Sequence, residues 1–143
     1  MAVLTGVPVS NALIASRFER VKQSMPVQPK LIGFISSQQM GVTQLAIEYC
    51  SVLIEDTSAR ASYWPDFPWG TSKATAFNDR SAVVDPMMAN IIGLGLPTQP
   101  DSTTVAAQVN GLIDGLLPGT GDTDSIMKGA CAAVLGSAAM LVQ

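Results

Sequence analysis

Cys50 and Cys131 are the only thiols of the chain, and neither has a neighbour that would make it reactive. Cys50 stands in QLAIEYCSVLIED and Cys131 in KGACAAVLGSAAMLVQ, both apolar stretches. No CxxC spacing occurs, and the chain holds no histidine, the usual base that generates a thiolate. The surroundings of the two sulfurs leave two readings open. They are buried free thiols that behave as small hydrophobes, or they form one bridge closing a loop of about 80 residues, worth about 4 kcal/mol by chain entropy.

The missing histidine removes more than thiolate chemistry. Ser/His/Asp and Cys/His triads, histidine zinc sites and histidine-ligated haem all need imidazole. Carboxylates remain, and the eleven acids are spread thinly. Glu55 and Asp56 are the adjacent pair, and at the end of a helical pattern they read as a solvated helix terminus rather than an acid and base. In PGTGDTDS, Asp122 and Asp124 with the hydroxyls of Thr123 and Ser125 offer hard oxygen ligands. An EF-hand loop would also require a third acid, a central glycine and a terminal glutamate, so residues 119–125 read as an N-cap cluster without metal. The GLG at 93–95 lacks the third glycine of a dinucleotide fingerprint. No catalytic residue, metal or cofactor is expected.

The stretch YWPDFPW, residues 63–69, gathers both tryptophans with Tyr63 and Phe67. Prolines hold Tyr63, Trp64, Phe67 and Trp69 on a loop, where rings can form a platform for a sugar or a partner, with Asp66 as acceptor. The competing and favoured reading is a lid whose rings fold back over the end of the bundle.

These groups are positioned by helices. In SNALIASRFERVKQSM, Ser10 suits an N-cap, and Ile14, Phe18, Val21 and Met25 share one helical face before Pro26 and Pro29. After KLIGFI, Ser36 and Gln39 have capping-box spacing, and the long helix aligns Val42, Leu45, Ala46, Tyr49, Cys50 and Leu53. Thr57 caps a short helix through Tyr63. Asp85 then caps another with Pro86 at its first position, ended by Gly93 and Gly95. Asp101 or Ser102 opens a helix striped by Val105, Val109, Leu112 and Leu116. Asp122 or Asp124 opens the last, where Met127, Ala130, Cys131, Val134, Ala138 and Leu141 share a face and small residues keep the cylinder thin. No segment alternates as a strand does. The pattern predicts one all-α domain over residues 1–143, a compact bundle of about five or six helices with short loops.

Apolar residues make up 48% and charged residues only 13% of the chain, which excludes a disordered polyampholyte. The net charge is −3, and the eight cations form no run, so nucleic acid is not an expected partner. The most apolar stretch, Ala130 to Val142, is shorter than the roughly 20 residues of a membrane span and contains Gly136 and Ser137. MAVLTGVPVSN has neither the basic start nor the apolar run of an intact signal peptide.

QQMGVTQLAIEYCSVLIED and KGACAAVLGSAAMLVQ, with VVDPMMANIIGLGLPTQPDSTTVAAQVNGLID between them, resemble the helical region of large LamG-containing (concanavalin A-like) cell-surface proteins of gammaproteobacteria. The resemblance runs from about Ser37 to Gln143 and rests on the EYC and CAAVLGSAAM segments and the VDP-to-TQP spacing. It implies an internal piece of a large exported protein, in an extracellular or envelope setting, beside β-sandwich domains. It also implies that Cys50 and Cys131 are bridged. It supplies no catalytic residues, and sugar binding by a neighbouring sandwich does not pass to this chain.

The expected function is therefore that of a non-enzymatic structural or protein-interaction domain, whose partners are neighbouring domains or another surface protein. The alternative is a module binding carbohydrate or a small ligand through the aromatic loop 63–69.

Overall fold

Every regular element of the computed structural model is helical over the residues the structure describes, 1–24, 36–92 and 101–137. The order is α1 (Ala2–Thr5), α2 (Ala12–Ser24), α3 (Ser36–Glu55), α4 (Thr57–Tyr63), α5 (Lys73–Ala76), α6 (Ser81–Met87) with a π-helical turn at Met88–Ile92, α7 (Ser102–Leu116) and α8 (Thr123–Leu135). The eight helices exceed the expected five or six because α1 and α5 are single turns, too short to carry a hydrophobic period. Gly6 ends α1 at φ 72°, a left-handed conformation that favours glycine, with its N–H on the Ala2 carbonyl.

Caps explain most helix starts, with shifts of one residue from the sequence reading. The α2 cap is Asn11 rather than Ser10: its Oδ1 accepts from Leu13 N at 3.0 Å. Asp56 rather than Thr57 caps α4: its Oδ1 accepts from Ser58 N at 2.9 Å and from Ala59 N at 3.0 Å. Asp101 and Asp122 cap α7 and α8 as expected, on Thr104 N and Ser125 N. At Asp85 and Pro86 the expectation fails. The helix starts at Ser81, whose N–H is held by Asp79 Oδ1 at 3.0 Å, and Pro86 lies in its second turn. Without an N–H, Pro86 leaves the bond to the Ala82 carbonyl unmade, and the backbone widens into the π turn just beyond. That turn buries Met88, Ile91 and Ile92.

The core forms around α3, which packs mainly against α8 on one side and α2 on the other. From α3 it takes Ala46, Tyr49, Cys50 and Leu53, while Val42 and Leu45 are half-buried. From α8 come Met127, Ala130, Cys131 and Val134 with Ile126, Ala132 and Leu135, so that helix is apolar on most sides. The expected thinness of α8 is used at Gly136, where a Cβ would stand 3.4 Å from Ala46 Cβ of α3. On α7 the fully buried residue is Ile113, with Val109; Val105, Leu112 and Leu116 are half-buried. On α2, Ile14 and Val21 point inward as expected, but Phe18 is 51% exposed at the flank of the stripe. Met25, Pro26, Pro29, KLIGFI, Gly93, Gly95, Ala138 and Leu141, and the side chain of Ser36, lie outside the described residues.

Candidate functional site

Cys50 sits in the C-terminal half of α3 and Cys131 in the third turn of α8, so distant parts of the sequence meet through them. Their Cα atoms are 5.9 Å apart, disulfide distance, across a sequence separation of 81. Both side chains are 0% exposed. Of the residues one helical turn away, Ala46, Leu53 and Ile54 on α3 and Met127, Val134 and Leu135 on α8 are buried, whereas Ile47 is exposed and Lys128 half-buried. The enclosed pair joins α3 to α8.

The aromatic stretch turns inward. Trp64 is 0% exposed and its indole Nε1 donates to the Val83 carbonyl of α6 at 3.2 Å. Phe67 is buried against Phe77, with ring centroids 5.4 Å apart. Tyr63 and Trp69 are half-buried, and Asp66 is exposed. Trp69 meets Trp64 and Phe67 edge-on, at interplanar angles of 66° and 72°, so the rings interlock and share no flat face. Arg60 of α4 covers Trp69 with its guanidinium 4.6 Å from the ring centroid. The geometry is that of the lid.

Burial pushes the Tyr63 phenol up to about 12, against a smaller opposing effect of the Asn90 side chain. The hydroxyl itself is enclosed without a hydrogen bond of good geometry among the described residues. Burial also raises the Tyr49 phenol.

The acids that could have done chemistry are committed elsewhere. Glu55 accepts from Lys128 Nζ at 2.7 Å and Asp56 caps α4, so the adjacent pair points into two different structural tasks. In residues 119–125, Asp122 caps α8 and Asp124 pairs with Arg60 at 3.2 Å. The Ser125 hydroxyl and amide hold the Asp122 carboxyl below its usual range. The Lys73 ammonium reaches the carbonyl oxygens of Gly119 and Gly121, so a tethered cation already occupies the oxygen-rich side of this loop. Among the described residues no group of three or more acids, cysteines or histidines is arranged to hold a metal.

The fold also forms concavities that periodicity does not foretell, among them the following two. An apolar groove of about 550 Å³ lies where α1, α2 and α3 meet, lined by Val3, Val9, Ile14, Phe18, Leu45 and Tyr49. Val3 and Val9 at its edge are 95% and 68% exposed. A shallower acidic pocket of about 400 Å³ is bordered by Asp66, Asp79 and Asp85. The exposure of Phe18 was not legible, since the spacing places it on one face with Ile14 and Val21, and Val9 lies before α2 begins. The acids come from separate turns that only the fold brings together.

No family model, curated protein or solved structure matches this chain. Relation to LamG-containing proteins therefore rests on the quoted segments alone.

Proposed function

We propose that the chain is a non-enzymatic structural or protein-interaction domain of an exported surface protein, holding neighbouring domains or a surface partner against a helical bundle pinned by Cys50 and Cys131. The observation that carries this reading is the buried pair at disulfide distance between α3 and α8. Such bridges persist in oxidising compartments and are rare in the cytosol of mesophiles. No helix of the described residues is long and apolar enough to cross a membrane. A binding role draws support from the exposed Val3, Val9 and Phe18 beside the apolar groove, since monomers seldom leave large apolar side chains clustered in solvent. The LamG resemblance supplies the surface setting and the neighbouring domains.

Carbohydrate binding through residues 63–69 has less to rest on, because Trp64 and Phe67 offer no open ring face. The test places a photo-crosslinking amino acid at Phe18, and at Gln108 on the exposed side of α7 as control, in protein exported by its producing cell. One discrete adduct from Phe18 and none from Gln108 supports the interaction reading. Equal labelling from both sites, or specific glycan-array binding that Trp69→Ala abolishes, would replace it with the ligand-module reading.

A further inference from the structure

We infer that the Cys50–Cys131 bridge is a sealed latch: it is made once during folding and cannot be exchanged while the native fold persists. The inference rests on the bridge proposed above. Reduction begins when a thiolate attacks one of the two sulfurs and displaces the other as thiolate, leaving a mixed disulfide. With dithiothreitol, the second thiol of the reagent then closes on that mixed disulfide and releases the remaining cysteine. Two electrons pass to the protein, which gains two thiols, and the reagent leaves as a cyclic disulfide. The attacking sulfur must reach a cystine sulfur, and both are 0% exposed.

The shield is made of the most enclosed side chains in the molecule. Leu53, Ile54, Met127 and Leu135 flank the sulfurs along their own helices at 0–1% exposure, and Ile113 and Met87 of other elements belong to the same core at 0%. The two helices also run close a turn beyond the bridge, where a Cβ added at Gly136 would stand 3.4 Å from Ala46 Cβ. Access to sulfur therefore requires the core to open as a unit, and the reduction rate is governed by that opening. The same enclosure acts in the forming direction. Oxidation precedes or accompanies docking of α8 on α3, and the closed domain takes no part in thiol exchange with redox partners.

The test is the rate of thiol release from the oxidised protein as dithiothreitol concentration is varied, compared with the same protein in denaturant. The latch predicts native reduction at least about a thousandfold slower than in denaturant, given the usual free energies of global opening. Ile113→Val on α7 removes one core methylene and leaves every residue of α3 and α8 in place. It should speed reduction by the same factor as hydrogen exchange of the most protected amides. Native reduction within tenfold of the denatured rate would overturn the inference. So would an Ile113→Val variant whose protected amides exchange faster while its reduction rate stays unchanged. If the protein holds no bridge at all, both thiols are already free and dithiothreitol releases none at any concentration, and the underlying reading fails instead.

Discussion

Arg60 of α4 and Asp124 in the first turn of α8 stand 3.2 Å apart, Nη1 to Oδ2, across 64 residues of sequence. The same guanidinium lies over Trp69 and donates to the Ile54 carbonyl at the end of α3. One side chain thus fastens the aromatic lid, the α3–α4 corner and the start of α8. Arg60→Ala should cost about 2 kcal/mol, summing a partly shielded cation–π contact and a modest ion pair. Arg60→Lys should recover less than half, because an ammonium cannot stack as a planar guanidinium does. Urea unfolding midpoints at constant m-value measure both.

The two tryptophans should behave differently when truncated. Trp64→Ala empties a fully buried site and should cost about 3–5 kcal/mol. Trp69→Ala, at a half-buried position, should cost about 1–2 kcal/mol. Denaturant unfolding followed by circular dichroism separates them, and similar costs would mean that the lid does not pack as described.

At Gly136 an added Cβ would stand 3.0 Å from the Ala132 carbonyl oxygen and 3.4 Å from Ala46 Cβ. Gly136→Val should destabilise by about 1–3 kcal/mol through overpacking between α3 and α8. Ser137→Val, one position on, adds comparable bulk where the side chain is half-buried and should cost less; thermal melts of the two variants check the order.

The Tyr63 phenol, raised to about 12 by burial, makes stability pH-dependent on the alkaline side. The folded pKa exceeds the unfolded value near 10, so the unfolded chain loses its proton first. The contribution is fully present below pH of about 10 and is lost as pH rises towards about 12. Tyr63→Phe should flatten this part of the stability profile, measured by urea unfolding at successive pH values, whereas an unchanged profile would assign the alkaline loss to other groups.

How far the sequence foretold this arrangement varies with the physics of each feature. The long helices were legible because their stripes repeat over several turns, as Ala46, Tyr49, Cys50 and Leu53 do on α3. Asp101 and Asp122 were legible as caps because an acid stands directly before each helical pattern. Asp85 and Pro86 misled for the same reason: they carry the signature of a helix start, yet α6 tolerates the proline by relaxing into a π turn. Cys50 and Cys131 could be placed on inward stripes, but no local signal says which helices face each other. The groove at Phe18 depends on how α1 and the Val9 segment sit beside α2 and α3, a tertiary relation that periodicity does not encode. Lys73 likewise is a single cation in sequence and becomes the clasp of residues 119–121 only in the fold.

The pairing of Cys50 with Cys131 is tested by intact mass after alkylation under denaturing conditions, on protein made in an oxidising compartment and handled without reductant. A bridged protein gives a mass with no alkyl group added, and with two added only after reduction. Two alkylated thiols before reduction would contradict it, leaving ordinary core cysteines and removing the main support for an exported, pinned bundle.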